Sequence, residues 1–272
     1  MEAVNPYQPI PCKISKVMDE TPTIKTFTIK PKPLNFEAGQ FVELTVPGIG
    51  EAPFTPSSSP FDEEKIELTI MKVGRVTSKL FELQPGDTVG IRGPYGKRYP
   101  LEEFKGKEIF IVGGGVGIAP LRSLFLALIN SIDDYKKIYI RYGARTPKDI
   151  VYKHLLPEWQ KLNKVDIVQT VDVGDDTWKG PVGVVTVILD KIPVDFKNSV
   201  AIVCGPPIMM KFVTLRLLDA GFASEDIYLS MERNMSCGLG MCNHCRVGEL
   251  YVCKDGPVLT WAQIKHVEEP FV

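Results

Sequence analysis

The strongest constraint on how this chain can fold is a group of four cysteines that lie close together in sequence. They follow the spacing C-x4-C-x2-C-x7-C and are Cys237, Cys242, Cys245 and Cys253. The first two intervals match the plant-type pattern for a [2Fe–2S] cluster. Gly238, Gly240 and Gly248 stand where a tight loop can turn backbone N–H groups towards sulfur, which stabilises a reduced cluster. The spacing therefore predicts a [2Fe–2S] site.

Two other uses of these cysteines stay open on the sequence alone. Structural zinc usually takes two separated C-x2-C pairs, whereas this chain has one such pair. A disulfide would suit an oxidising compartment, for which the sequence gives no other sign. His244 lies between two of the cysteines, and Rieske centres do use two histidines. Because four cysteines already complete a ligand set, His244 is predicted to be a loop residue near the cluster.

Length and charge argue against several function classes. With 272 residues the chain can form two domains and a small third lobe. The formal net charge of −1, with acidic and basic residues interspersed, argues against nucleic acid or an anionic membrane as partner. The start lacks the features of a signal peptide, and no apolar run approaches the roughly 20 residues that span a bilayer. We therefore expect a soluble cytoplasmic protein in which Cys12 and Cys204 are free thiols.

Residues 1–100 have the pattern of an antiparallel β domain. Short alternating segments separated by proline- and glycine-rich turns are typical of a small barrel. The predicted strands are Lys13–Met18, Ile24–Ile29, Phe41–Val46, Lys65–Val73 and Thr88–Arg92.

Residues 101–230 change to alternating strands and helices, which predicts a parallel, doubly wound sheet. The predicted strands are Ile109–Val112, Lys137–Arg141, Val165–Val171 and Ser199–Val203. The predicted helices are Pro120–Ile132, Tyr152–Leu162, Val182–Leu189 and Ile208–Ala220. Residues 231–272 then form the predicted cysteine lobe.

Three further segments have the character of cofactor contacts, although each has a plain structural alternative. Gly113–Pro120 joins a strand to a helix, where glycines let the backbone approach a pyrophosphate. Such loops match loosely, so a merely tight turn is the alternative. Gly74–Ser78 could serve a diphosphate or be a hairpin followed by a capped helix, Thr77–Phe81. Ala52–Ser59 could hold a ring system against Phe54 or be a surface loop.

Taken in order, these segments resemble the ferredoxin–NADP⁺ reductase superfamily over essentially the whole chain. The flavin motif R-x-Y-[ST] is matched by residues 52–55, except that Ala52 replaces the arginine, whose pyrophosphate contact Arg75 could supply. The second flavin segment G-x-x-[ST] is matched by residues 74–77. The barrel-closing G-P-Y-G is residues 93–96, and the nicotinamide-side C-G-P-P is residues 204–207.

The resemblance implies an FAD-binding barrel, an NAD(P)-binding α/β domain and the iron–sulfur lobe. The implied flavin contacts are Phe54, Thr55, Ile70, Lys72, Gly74, Arg75, Val76 and Thr77. The implied NAD(P) contacts are Gly113, Gly114, Gly115, Val116, Gly117, Pro120, Arg145, Cys204, Gly205 and Pro206. Cys204 and Thr55 are the implied catalytic residues beside the site of hydride transfer. The four cysteines of the loop are the implied metal ligands.

The cysteine lobe after such a core is similar to sulfhydrogenase gamma subunits, anaerobic sulfite reductase B subunits and dihydroorotate dehydrogenase electron-transfer subunits. The implied function is an electron-transfer (diaphorase) subunit linking NAD(P)H, FAD and the [2Fe–2S] cluster to a partner. The expected partners are iron–sulfur and catalytic subunits of a hydrogenase, sulfhydrogenase or sulfite reductase complex. The alternatives are a dihydroorotate dehydrogenase subunit, a stand-alone oxygenase-type reductase, and a zinc-stapled binding module.

The choice between NADPH and NADH depends on the end of the second strand of the α/β domain. No acidic residue follows Ile138–Tyr142, where a ribose 2′-OH would usually be held. Arg145 stands there and could meet a 2′-phosphate, or it could pair with Asp149. The sequence therefore favours NADPH slightly.

Overall fold

The computed structural model describes residues 5–271, and its first part is an antiparallel sheet of six strands. The strands are β1 (Ile10–Thr21), β2 (Ile24–Ile29), β3 (Phe41–Val46), β4 (Gly50–Phe54), β5 (Ile66–Met71) and β6 (Thr88–Tyr95). Their order is β4-β3-β6-β1-β2-β5. The two ends of this order meet where the Ser57 N–H donates to the Glu67 carbonyl at 2.8 Å. A short helix, α1 (Arg75–Leu80), follows β5.

The second part is a six-stranded sheet covered by helices. Its strands are β7 (Glu108–Gly114), β8 (Lys137–Ala144), β9 (Val165–Val171), β10 (Ser199–Cys204), β11 (Ile227–Ser230) and β14 (Val258–Thr260). Two short strands, β12 (Arg246–Val247) and β13 (Leu250–Tyr251), pair with each other outside this sheet. The remaining α-helices are α2 (Leu101–Phe104), α3 (Ile118–Asn130), α4 (Leu156–Trp159), α5 (Pro207–Ala220) and α6 (Trp261–Ile264). The order is β14-β11-β10-β7-β8-β9, parallel except that β14 is antiparallel to β11.

Strand β7 shows why the second sheet is covered on both faces. Alternate side chains of a strand point to opposite faces. Ile109 and Ile111 belong to the core that includes Leu124 of α3, whereas Phe110 and Val112 belong to the core that includes Val213 of α5. A strand buried on both faces has a continuous apolar sequence, as parallel sheets require. The prediction of an antiparallel barrel followed by a doubly wound sheet is confirmed.

Buried polar side chains join the two sheets. Arg122 on α3 donates to the Glu67 carboxylate at 2.7 Å and to the Ser57 carbonyl at 3.0 Å. The Tyr152 hydroxyl donates to Thr69 Oγ1 at 2.7 Å. These pairings fix the barrel against the nucleotide-binding sheet, although the buried Nε of Arg122 has no hydrogen-bond partner among the described residues.

The cysteine lobe lies against both sheets. Its last strand, β14, pairs with β11, so the lobe contributes the edge of the nucleotide-binding sheet. The Lys97 N–H, next to the barrel's G-P-Y-G segment, donates to the Gly256 carbonyl at 2.5 Å. The division into residues 1–100, 101–230 and 231–272 stays a prediction.

Several predicted elements differ from those observed. The helix predicted over Tyr152–Leu162 is wrong, since only Leu156–Trp159 is α-helical. The helix predicted over Val182–Leu189 is also wrong, since a single 3₁₀ turn, Val185–Ile188, stands there. Helix α1 begins at Arg75 rather than Thr77, with Gly74 as its N-cap. Strands β4, β11, β12, β13 and β14 were not predicted.

Candidate functional site

The cysteine loop places backbone donors around sulfur. The N–H groups of Leu239 and Met241 each lie 3.3 Å from Cys237 Sγ, and the Gly240 N–H lies 3.0 Å from Cys253 Sγ. Gly238 has φ +74°, which a residue with a side chain rarely adopts. The glycines therefore allow the wrapping that the sequence predicted.

The four sulfurs come together as two pairs. The Cys245 and Cys253 sulfurs are 3.2 Å apart, and the Cys242 side chain is near enough to Cys237 to help lower the pKa of that thiol. Within residues 5–271, no three His, Cys, Asp or Glu side chains are grouped to hold one metal ion. Four cysteines in one loop suit a two-iron cluster, in which each iron takes two thiolates.

The protonation of the cysteines also fits a metal site. Burial opposes ionisation of Cys237, but the N–H groups of Leu239 and Met241 outweigh it and lower the pKa of that thiol. Burial and the neighbouring Cys245 raise the pKa of Cys253. Thiolates this close together require a cation, so the donor set matches the iron–sulfur prediction. His244 is exposed and its Nδ1 is 2.8 Å from Ser236 Oγ, as expected for a loop residue.

The two flavin segments lie side by side in the barrel. Phe54 ends β4, which pairs with β3, and a Cβ placed on Gly50 would be 3.4 Å from Val76 of α1. Thr77 Oγ1 accepts the N–H groups of Val73 at 2.9 Å and Gly74 at 2.8 Å, which orders the turn before α1. Phe54 and Thr55 are half-buried, so each keeps a free surface for a ring.

The other predicted flavin residues differ in what they can offer. Arg75 and Lys72 are exposed, so their charges can reach a diphosphate. Ile70 is 1% exposed within the barrel core, so any contact from it would come through the backbone. All these contacts stay predictions.

A cavity of about 740 Å³ opens at the carboxyl ends of the parallel strands. Open α/β sheets bind ligands at this edge, where successive crossovers leave a crevice. The predicted residues that line it are Gly114, Gly115, Arg145 and Pro206. A Cβ placed on Gly117 would lie 2.5 Å from the Cys204 carbonyl oxygen. The glycine loop and the C-G-P-P turn are therefore in direct contact, and Gly117 must be glycine for this approach.

Sequence reasoning missed two charged residues of this cavity. Asp172 follows β9 as Arg145 follows β8, so both stand at carboxyl ends of neighbouring strands. Arg216 comes from α5 and pairs with Asp190 at 2.5 Å. The position of Asp172 after a buried strand was a usable signal, whereas Arg216 depends on how α5 packs.

Two predictions concern residues at or near this cavity: a possible ion pair of Arg145 with Asp149, and a role for Cys204 beside the site of hydride transfer. The alternative pairing of Arg145 with Asp149 is not observed within residues 5–271, where Asp149 accepts from Thr146 Oγ1 at 2.7 Å. Burial raises the pKa of Cys204 to about 12, so this thiol is neutral at ordinary pH. Its predicted role beside the hydride-transfer site would therefore be steric or hydrogen-bonding.

In the part of the chain that the structure describes, no helix has the length and apolar character needed to cross a membrane. All six cysteines are free of disulfide bonds, which agrees with the expectation for Cys12 and Cys204.

Comparison with known proteins gives each part of the chain a family match. An oxidoreductase FAD-binding domain matches residues 11–99, and an oxidoreductase NAD-binding domain matches residues 111–214. The iron–sulfur cluster binding domain of dihydroorotate dehydrogenase B matches residues 232–265. The predicted FAD, NAD and iron–sulfur binding of an oxidoreductase is confirmed at this level.

Individual relatives extend over almost the whole chain. Sulfhydrogenase 1 subunit gamma of Pyrococcus furiosus is 39% identical and covers 96% of this chain and 93% of the relative. A probable dihydroorotate dehydrogenase B (NAD(+)) electron transfer subunit of Methanocaldococcus jannaschii is 34% identical, with the same two coverages of 96% and 93%. A solved NADH-dependent reduced ferredoxin–NADP oxidoreductase superposes with a TM-score of 0.77 at 27% identity, covering 93% of this chain and 91% of the other. The chain therefore belongs to the family of FAD- and NAD(P)-binding, iron–sulfur electron-transfer subunits that includes the sulfhydrogenase gamma and dihydroorotate dehydrogenase B subunits.

Proposed function

We propose that this chain exchanges electrons between NAD(P)H and a partner catalytic subunit of a cytoplasmic hydrogenase, sulfhydrogenase or sulfite reductase complex. The observation that carries the proposal is the paired four-cysteine loop, seated against both a flavin-type barrel and a nucleotide-type sheet. Two sulfhydrogenase gamma subunits of Pyrococcus furiosus, 39% and 38% identical to this chain, favour the hydrogenase type.

Three separate groups of residues would bind the flavin, the nicotinamide nucleotide and the iron–sulfur cluster. FAD, when bound, takes an electron pair from a nicotinamide and gives up single electrons of the kind that an iron–sulfur cluster carries. The segments around Phe54 and Thr77 would hold the flavin, and the loop Gly113–Gly117 would admit the pyrophosphate of the nicotinamide nucleotide at the start of α3. The four paired cysteines would ligate the [2Fe–2S] cluster.

The terminal chemistry is assigned to a partner. Apart from the four cysteines of the loop, the sequence contains only Cys12 and Cys204, so it has no set for a second cluster.

Tyr251 and Trp261, near the cysteine loop, are part-exposed, whereas Val252 and Leu259 are fully buried. Most apolar residues of the lobe therefore serve its core.

Anaerobic purification with iron, sulfide and flavin analysis tests the proposed cofactors. We expect iron and sulfide in equal amounts, at about two of each per flavin, and bleaching of the flavin by NADPH or NADH. A protein that lacks iron, or that neither nucleotide bleaches, would contradict the proposal.

The partner class is tested by purifying the tagged chain with its complex from its own cells. A hydrogenase-type partner gives hydrogen-dependent reduction of NAD(P)⁺ in the purified complex. Dihydroorotate-dependent reduction would instead support the second candidate, which the iron–sulfur family match favours. A free chain active as a diaphorase without any subunit would support a stand-alone reductase.

We further infer that Arg145 recognises the 2′-phosphate of NADPH. Its exposed side chain lines the cavity at the end of β8, and no carboxylate of residues 5–271 is paired with it. A charge-assisted hydrogen bond to a phosphate contributes about 1.5–3 kcal/mol.

Replacing Arg145 by alanine is therefore expected to raise the KM for NADPH by about tenfold or more. The KM for NADH should change by less than about threefold, because NADH has no 2′-phosphate. Steady-state reduction of a one-electron dye with each nucleotide measures both constants. Lys148→Ala, an exposed change outside the cavity, is the control. Equal losses with both nucleotides would refute the assignment.

A further inference from the structure

A buried group of charges lies where the flavin barrel meets the cysteine loop. Arg92 on β6 has a side chain that is only 3% exposed. Its Nε is 3.1 Å from both carboxylate oxygens of Glu51, and its Nη2 is 2.8 Å from one of them. A second carboxylate, Glu43, is 1% exposed and lies 4.0 Å from Nη2. Burying an arginine with two acids is costly unless the groups are held by good geometry.

The remaining donors of Arg92 point at the cysteine loop. Nη1 donates to the Cys237 carbonyl at 2.7 Å, and Nη2 donates to the Ser236 carbonyl at 3.0 Å. Nη1 also donates to the Tyr95 hydroxyl at 3.1 Å. A guanidinium has five N–H donors in a rigid planar fork. Glu51, Tyr95 and the two loop carbonyls together engage all five of them.

The loop itself is shaped around this arginine. A Cβ placed on Gly238 would be 3.1 Å from the Tyr95 ring and 3.4 Å from Arg92 Nη1. Gly238 follows the first cysteine directly and has φ +74°. The segment therefore has neither the space nor the backbone conformation for a side chain at this point.

The position of Glu43, like the contacts of Arg92 with the cysteine loop, indicates that this group of charges does more than stabilise the fold. Neither of its carboxylate oxygens has a hydrogen-bond partner among the described residues. An ion pair that served only to join the barrel to the lobe would need Glu51 alone. The unpartnered carboxylate instead places a second acid beside the cation, which limits how much positive charge the loop experiences.

We propose that Arg92 is a positioning residue for the iron–sulfur loop. Through the carbonyls of Ser236 and Cys237 it fastens the first ligand segment to the flavin barrel. As a buried cation beside that segment, it also raises the reduction potential of the cluster. This inference rests on the proposed ligation by the four cysteines. Local charge and hydrogen bonding at the ligands are the ways a protein tunes such potentials.

The test compares two variants with a matched control. Arg92→Met combined with Glu43→Met removes the buried cation together with the buried acid beside it, a change that buried pairs often tolerate. Glu51 then keeps its hydrogen bond from Thr45, and its side chain is 29% exposed, so its charge stays solvated. Arg92→Lys keeps the charge but cannot reproduce the fork. Arg98→Gln removes an exposed barrel arginine paired with Glu37 and is the control. The readouts are the midpoint potential from an EPR-monitored titration and the rate of iron release to a chelator.

In the double variant we expect the ratio of reduced to oxidised cluster at a fixed potential to fall about tenfold. For a one-electron couple this corresponds to a midpoint potential lower by about 59 mV. Iron release from the double variant should be faster as well. In Arg92→Lys the ratio of reduced to oxidised cluster at a fixed potential should change by less than about threefold. Iron should still be released faster than from the parent protein. Arg98→Gln should match the parent in both readouts.

Parental potential and parental iron release in the double variant would overturn the inference. If the double variant does not fold, Arg92→Lys decides, because parental iron release there removes the positioning role. A parent protein without iron would instead refute the ligand set itself. The failure of the inference and the failure of the proposed function are therefore distinguishable.

Discussion

Replacing Cys245 by serine is expected to remove most of the iron from the protein while NAD(P)H still reduces the flavin. Cys245 is 1% exposed, and its sulfur lies 3.2 Å from that of Cys253. A serine oxygen is a poorer ligand for iron than a thiolate, and losing one of four ligands should lower bound iron at least about tenfold. The flavin and nucleotide segments lie in other parts of the chain, so bleaching by NADPH should persist. Metal analysis and stopped-flow absorbance measure the two effects.

The matched control is Cys12→Ser in the barrel. Cys12 is also buried, but its sulfur donates to the Ile10 carbonyl at 3.2 Å and contacts no other cysteine of the described chain. This variant should keep its iron in full. Onward transfer to a one-electron acceptor at the cluster should fail only in Cys245→Ser. A Cys245→Ser protein that keeps its iron, or that loses flavin with the cluster intact, would contradict this division of roles.

The sequence was sufficient where local pattern and local structure agree. The strands Ile24–Ile29, Phe41–Val46 and Val165–Val171 were predicted with the bounds that the structure has. Their alternating or continuous apolar patterns have only one way to be buried. The cysteine loop was predictable for a related reason, because its ligands and glycines are close in sequence.

The sequence failed where distant residues decide the local structure. Strand β4 contains Gly50 and Pro53 and has the pattern of a loop, but it is an edge strand, where proline is tolerated. The apolar run after Tyr152 does not stay helical, since Tyr152 itself has φ +57° and Pro157 lies in the middle. Strand β14 has only three residues and exists because β11 offers an edge to pair with.

The contact between Arg92 and the cysteine loop is the clearest case of a feature that the sequence does not predict. Arg92 contacts Cys237, which is 145 residues away along the chain. Nothing in the sequence around Arg92 distinguishes it from a surface arginine of a strand. Only the packed structure reveals that its donors reach the cysteine loop, so contacts of this kind lie beyond single-sequence reasoning.

Replacing Gly117 by alanine is expected to lower kcat/KM for NAD(P)H about a hundredfold. The added Cβ would lie 2.5 Å from the Cys204 carbonyl oxygen and 2.7 Å from Gly205 Cα. Both are backbone atoms, so the glycine loop and the C-G-P-P turn must separate. A displacement of about 1 Å at a nucleotide site is enough for such a loss. Flavin content and reduction by dithionite should stay unchanged, because the barrel is not altered.

Gly106→Ala separates this effect from general destabilisation of the domain. Gly106 has φ +75° and a Cβ there would meet nothing within 4 Å. That variant should lose about 1–2 kcal/mol of stability through backbone strain and keep the parental kcat/KM. Steady-state kinetics with each nucleotide, together with thermal melts of both variants, measure the difference. If Gly117→Ala reacts with NAD(P)H as Gly106→Ala does, the glycine loop does not bind the nucleotide. The cavity at the strand ends would then need another ligand, since its glycine wall would no longer be explained by close approach to a pyrophosphate.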